Sequence, residues 1–384
     1  MDSLLRSGAG ALLALGLCLG AHAQTATDSV PPPPLKPGWW RIPGTDIRMT
    51  MGGYIKLDMI HDLSPIGSPS YFDVSKIPTD GSTGASTRLQ AKESRVRWDV
   101  RRDSKCGEIR GYLEGDFYGG DGNQFRLRHA YIDIGGRWLA GQTWSTFMDE
   151  DIIPSTLDYE LPAAYAFARH AMIRYTGKLG DNGFIAVAVE QPSASIQIPE
   201  PGTVNNPLPD LAMRARRTGK WGHVQLSGFL GGAEFQPDSG STSNVQTYGL
   251  NLSGKINFGK KDHFIVQGIY GPGLSRYRFG SYAAPDSTGK LEAITGLGLT
   301  AGVLHHWSDA WSSFAVFNIG IDDPTEMQNA TDSRELTYGA VNLLWHFTDY
   351  AFVGVEYLHG MKVDVAKNDG TADRIMMSFR LNIN

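Results

Sequence analysis

From Met49 to Asn384 the chain alternates apolar and polar side chains in runs of about ten to fourteen residues, the period of strands with one face of each kind. The connections between the runs alternate long and short, strictly in turn. The predicted strands begin with Met49–Asp62, Arg88–Arg102, Gly107–Tyr118, Gln124–Ile134 and Arg137–Trp144. They continue through Arg169–Gly177, Phe184–Glu190, Leu211–Thr218, Trp221–Phe235, Val245–Phe258 and His263–Tyr270. The last are Leu291–Trp307, Trp311–Ile321, Arg334–Phe347, Tyr350–Gly360 and Arg374–Asn384. In water such faces close over a core. In a membrane barrel the apolar face meets lipid, the polar face lines a wet lumen, and short turns lie on the periplasmic side.

That rhythm predicts an all-β fold: a transmembrane antiparallel β-barrel of about 16 strands with both chain ends on the short-turn side. Closure leaves no edge strand to aggregate. Trp138, Trp144, Trp221, Trp307, Trp311, Trp345, Phe347, Tyr350 and Phe352 gather at strand ends, as interfacial girdles do, although aromatic residues favour strands in general.

The N-terminus sets the compartment. Arg6, the apolar run Ala9–Gly20 and the small-x-small site Ala21-His22-Ala23 read as a signal peptide over 1–23, cleaved before Gln24. Residues 24–48 follow as a proline-rich periplasmic segment, extended by Pro31–Pro34 and Pro37 and ending in Trp39 and Trp40. The barrel spans 49–384. Cleavage leaves Cys106 as the single cysteine of the mature chain, so no internal disulfide is expected. No later stretch is apolar enough for a membrane helix. A hydrophobic content of 41% suits a barrel with half of each strand in water. A formal net charge of −5 suggests no nucleic-acid partner. The expected location is the outer membrane, in contact with its lipid and lipopolysaccharide.

The candidate chemistry lies in arginines sorted by strand parity. Ser94, Val96, Trp98 and Val100 share one face of the second strand, and Arg95, Arg97, Asp99 and Arg101 share the other. A lipid-facing arginine near the bilayer midplane costs roughly 2–4 kcal/mol, so these side chains are expected in the lumen. The same rule turns Arg110, Tyr112, Glu114 and Asp116 inward on the third strand, Arg174 on the sixth, and Arg214 and Arg216 on the eighth. Arg126 and Arg128 share parity with Ala130, Ile132 and Ile134, so they need a bulge or a place above the membrane. The long connection 145–168 after the fifth strand carries Asp149, Glu150, Asp151, Asp158 and Glu160. Folded inward, it would form a constriction whose acidic side faces the basic wall, a transverse field that favours anions. The plainer account is that these charges only brace the wall as salt bridges.

Enzyme chemistry is not expected. His305-His306, His346 and His359 lie in the same half of the chain as Asp309, Asp349 and Asp364, but adjacent histidines on a strand point to opposite faces. No zinc spacing, phosphate loop or nucleophile elbow is present. No calcium-loop spacing occurs either, and no cofactor is expected.

Several motifs carry a family resemblance. Ile42-Pro43-Gly44-Thr45-Asp46 followed by Gly52-Gly53-Tyr54-Ile55-Lys56-Leu57-Asp58 resembles the start of the DcaP-like porins of Gram-negative bacteria. Arg95-Val96-Arg97, the run Phe125–Tyr131 and Gly141-Gln142-Thr143-Trp144-Ser145 resemble the same family, and the likeness covers 42–384. It implies a sixteen-stranded homotrimeric diffusion channel biased toward small carboxylates, especially dicarboxylic acids. Some members carry an N-terminal coiled coil, whereas residues 24–41 here hold no heptads. The competing expectations are a general or sugar-permeable porin without marked anion preference, and a plugged structural or receptor barrel.

Overall fold

In a computed structural model, the structure describes residues 35–383 apart from 121, 193, 194 and 279. The signal peptide read over 1–23 and the proline-rich stretch up to 34 lie outside the described residues. Sixteen antiparallel strands form a closed barrel with almost no helix. They are β1 (Arg48–Asp62), β2 (Ser86–Gln90 and Arg95–Ser104), β3 (Gly107–Gly119), β4 (Gln124–Ile134), β5 (Trp138–Trp144), β6 (Arg169–Lys178), β7 (Gly183–Glu190) and β8 (Asp210–Gly219). The second half comprises β9 (Gly222–Pro237), β10 (Ser243–Phe258), β11 (Asp262–Pro272), β12 (Thr295–His306), β13 (Trp311–Asp323), β14 (Ser333–Thr348), β15 (Ala351–Asp364) and β16 (Asp369–Ile383). β1 closes the ring, pairing with β16 from Gly53↔Ile383 to Asp62↔Arg374 and with β2 on its other edge.

The faces sort in the order that lipid demands. On β10, Val245, Thr247, Asn251 and Ser253 are buried while Tyr248, Leu250 and Leu252 are exposed. Exposed apolar residues recur around the barrel, among them Ile55, Leu57 and Met59 on β1 and Val355 and Tyr357 on β15. Trp311 stacks with Trp345, which leads through Phe347 to Phe379, a chain of rings beside the short turns. The wall is uneven in height: β5 and β7 have 7 and 8 residues, whereas β9, β10 and β14 have 16 each.

Three local departures from regular pairing matter. β2 is not the continuous strand expected over Arg88–Arg102. It breaks at residues 91–94, where five steps along β2 lie opposite four along β1. The extra residue is accommodated because Glu93 turns to the buried face, accepting hydrogen bonds from Tyr54 Oη at 2.9 Å and from Lys56 Nζ. The register slips again between β3 and β4, where Glu114 pairs with His129 but Gly115 pairs with Leu127. Arg128 is the extra residue of this bulge. The strand expected from Leu291 instead starts at Thr295, because residues 291–293 pair with Ala283–Pro285 in a separate small sheet. Gly53 is required by close approach: it sits at φ +130°, and a Cβ there would collide with the Arg95 carbonyl.

The hydrophobic core lies against the buried face of the wall. Ile66, Phe72, Val74 and Ile77 from the first long connection meet Met148, Ile152, Leu157, Leu161 and Tyr165 from 145–168. Both groups pack on Ile60, Phe314, Tyr338, Leu358 and Met376 of the strands. Leu274 and Tyr277 of a third connection join Phe147, Phe229 and Ile269 in an adjoining cluster.

Candidate functional site

Alternation along β2 and β3 places Arg101 and Arg110 on one carboxylate. Arg101 donates from Nε and Nη2 to the two oxygens of Asp99, each at 2.9 Å, and Arg110 donates to Asp99 Oδ2 at 2.8 Å. Arg101 also reaches Glu108 at 3.1 Å, which Arg48 of β1 shares at 3.2 Å. Higher on the wall, Arg95 lies 3.7 Å from Glu114, and Arg97 stands opposite Glu114 in the strand register.

The bulge at Arg128 explains the two arginines that parity alone left open. It returns Arg126 and Arg128 to the same face as His129, and both bind Asp116, at 2.7 and 2.9 Å. Arg128 also donates to Glu114 at 3.0 Å. Arg95, Arg126 and Arg128 thus converge on two carboxylates, Glu114 and Asp116, which leaves positive charge in excess. Arg174 has a single long contact among those described, 3.5 Å from Nη1 to the Trp144 carbonyl. Aromatic faces support the guanidinium groups: Tyr112 and Tyr131 under Arg110, Tyr118 and Tyr159 under Arg126, Trp144 under Arg128 and Arg169. Such stacking holds an arginine in place without consuming its charge.

Segment 145–168 binds the buried face on the other side. An irregular backbone must find partners for its polar groups wherever it is shielded from water, and here the strands supply them. Phe147 O accepts from Ser227 Oγ and Asn251 Nδ2, both at 2.7 Å, and Met148 O from Gln225 Nε2 at 3.1 Å. Ala166 N donates to Gln267 at 2.9 Å, and Ser155 O accepts from Asn342 at 2.8 Å. Leu157 N and Asp158 N donate to the Glu356 carboxylate at 2.7 and 2.9 Å, and Lys56 Nζ reaches Leu157 O.

The acidic side chains of this segment have separate placements. Asp149 is fully buried; Ser253 Oγ donates to it at 2.8 Å, His223 Nε2 lies 2.8 Å away, and Arg216 pairs with it. Burial opposes its ionisation, but the His223 hydrogen bond, the Arg216 charge and Ser253 hold its carboxyl below the usual range. Asp151 pairs with Arg216, and Glu150 lies 3.8 Å from Arg214. Asp158 binds Arg374 at 2.8 Å and accepts from Phe72 N at 2.9 Å. Glu160 is buried near Asp73 and Asp158, and burial, helped by those two charges, pushes its carboxyl up to about 8. Donor atoms of Asp149, Asp151 and His223 all lie within 4.8 Å of one another. The Arg216 guanidinium joins the two carboxylates, so an arginine already supplies the positive charge a metal would bring.

The two sides differ in access to water. Side chains of Arg95, Arg101, Arg110 and Arg126 remain 23%, 31%, 31% and 32% exposed. Gln225, Asn251, Asn318, Glu356 and Arg374, on the same face of later strands, are each 0% exposed. Between the sides a cavity of about 340 Å³ is lined by Arg95, Arg128, Trp144 and Arg380 of the wall and by Ile153–Tyr159.

A closed sixteen-strand barrel with an apolar exterior and a polar, partly open interior defines an outer-membrane channel of the porin class. Its sequence matches the DcaP outer membrane protein family over residues 41–383, and the chain belongs to that family. The fold is similar to that of the outer membrane channel DcaP of Acinetobacter baumannii. The TM-score is 0.81 at 20% identity, over 88% of this chain and 97% of that one. OmpT of Vibrio cholerae is similar at a TM-score of 0.58 and 10% identity, over 89% of this chain and 99% of that one. OmpF of Salmonella typhi, solved with daunomycin, is similar at 0.56 and 9%, over 88% and 98%. No curated protein matches the sequence.

Proposed function

We propose that this outer-membrane channel passes small anionic solutes, carboxylates and dicarboxylates among them, by passive diffusion along the arginines of β2, β3, β4 and β6. The observation that carries this reading is the unequal exposure of the inner face. Water reaches Arg95, Arg101, Arg110 and Arg126, while segment 145–168 covers the inner face of β9–β11 and β13–β15. On this reading the segment is the inward-folded constriction and the solute path is off-centre, against the basic wall. Arg95, Arg97, Arg101, Arg110 and Arg174 would attract the anion. Arg214 and Arg216 pair with Glu150, Asp149 and Asp151 and would serve mainly to hold the segment down.

The functional unit would be a homotrimer. A tilted strand needs about 9–11 residues to cross the hydrocarbon, and β5 and β7 fall short at 7 and 8. A second copy packed on the low wall would shield Ile132 and Ile173, both exposed in one chain. OmpT of Vibrio cholerae has a trimer form.

The test is the reversal potential of purified channels in a planar bilayer under a salt gradient. Anion selectivity that falls as salt screens the wall, and that Arg95→Glu with Arg97→Glu reverses, is the expected result. Selectivity unmoved by both reversals points to a general porin, and folded protein without conductance points to a plugged barrel.

A further inference from the structure

The segment before β1 reaches the inner face of the wall. Trp40 and Arg41 pair with Met49 and Arg48, along the edge of β1 that β16 leaves unpaired below Gly53. A tight reversal holds this pairing, with Ile42 N donating to Ile47 O at 3.0 Å and Thr45 N to Ile42 O at 3.1 Å. One residue earlier the register brings Trp39 opposite Thr50. Thr50 shares its face with Arg48, whose partner across the strands is Arg101. The contacts agree: Thr50 Oγ1 donates to Gly38 O at 2.8 Å, and the Trp39 ring lies 5.0 Å from the Arg101 guanidinium carbon. Trp39 is half-buried, whereas Trp40 beside it is exposed, in keeping with opposite faces. Trp39 N closes a further turn onto Lys36 O at 3.1 Å.

We propose that residues 35–39 form a strap over the periplasmic exit of the arginine wall, and that Trp39 is a specificity-determining residue that covers Arg101. Both arginines lie against a ring, Arg101 against Trp39 and Arg95 against Tyr54. Arg101 also has its donors engaged by both oxygens of Asp99 and by Glu108, whereas Arg95 stands 3.7 Å from Glu114, so Arg101 offers a passing anion fewer free donors. The exit would therefore hold solutes less tightly than the constriction, which favours release into the periplasm. The indole also narrows the opening, so its removal changes conductance as well as charge selectivity. This proposal rests on the anion-channel reading above.

Full-length channels carrying Trp39→Ala, Trp39→Phe, Arg101→Ala and the double change Trp39→Ala/Arg101→Ala separate the possibilities. Unitary conductance and reversal potential are read with heat-modifiable migration as the folding control. Trp39→Ala should raise conductance and anion preference, with a change of about twofold in apparent anion affinity, the scale of one exposed cation–π contact. Trp39→Phe should stay near wild type, and the gain in anion preference should vanish in the Arg101→Ala background. Trp39→Cys in a Cys106→Ser background, treated from the periplasmic side with a bulky anionic thiol reagent, should lose current even if the alanine variant folds poorly. Unchanged conductance in folded Trp39→Ala, or unchanged current after labelling, overturns the strap. If Arg95→Glu shifts selectivity while the Trp39 variants do not, the strap fails and the anion-channel reading stands.

Discussion

Replacing Asp149 with alanine removes the main polar anchor of segment 145–168. Its carboxylate is fully buried and is shared by Arg216, His223, Ser253 and the backbone N–H of Asp151. Arg216 would keep Asp151 and the Gln225 side chain at 3.0 Å, but His223 would lose the carboxylate that faces it. Breaking a buried charge pair from one side costs about 3–5 kcal/mol, and the contacts left to Arg216 put this case near about 3 kcal/mol. That cost falls on the segment before it falls on the barrel, because the strand ladders are untouched. We therefore expect Asp149→Ala to remain folded in the membrane and to show larger, noisier unitary currents. Its denaturant midpoint, followed by tryptophan fluorescence, should fall. Asp149→Asn should fall between it and wild type, since it retains an acceptor for Ser253. A folded Asp149→Ala channel with quiet, wild-type currents and stability within about 1 kcal/mol of the parent would refute this reasoning.

Two further outcomes follow from the same contacts. Glu160 favours its neutral form in the fold, so the stability it lends is complete below the usual carboxylate range and is lost as pH rises through about 8. Open-channel noise should grow between about pH 5 and 8 and level off above that, and Glu160→Gln should flatten that dependence; an unchanged profile in the variant removes Glu160 as the cause. Ile173→Arg places a charge on the exposed face of β6 next to the low wall, and under the homotrimer proposed above it should shift purified channels from trimer to monomer by native mass. A trimer that survives the change places the contact elsewhere on the barrel.

Strand positions were legible because a period of two survives wherever one face meets lipid. Gln124–Ile134 was read to the residue, and the other strands to within a few residues at most ends. Two of the errors fall where an extra residue breaks the period, and a third at Leu291, where residues 291–293 join a separate small sheet. The break at 91–94 and the bulge at Arg128 both exist to bring charged side chains inside, Glu93 to Lys56 and Arg128 to Asp116. Parity places Arg126 correctly only once that bulge is known. What parity cannot show is whether an inward polar residue meets water or protein. Gln225, Ser227, Asn251 and Gln267 look like pore-lining residues in the sequence, yet each binds the backbone of segment 145–168. Arg374 and Lys56 were missed for the same reason, since their partners Asp158 and Leu157 lie about a hundred residues or more away along the chain.

The half-covered inner face bears on how such a channel can change its solute over time. The exposed arginines and their aromatic supports lie almost wholly within residues 86–178, a single uninterrupted stretch of the gene product. The opposite half is tied up in packing and would tolerate little exchange. A recombination event that swapped this one stretch between two relatives would replace most of the polar wall together with segment 145–168, so the incoming segment must keep the side chains that anchor it on the strands that stay, Asp149 on Arg216 and His223 among them. Diversification of cargo would then need one crossover at each end of that stretch, with Arg95 and the Arg126–Arg128 pair inherited as a unit.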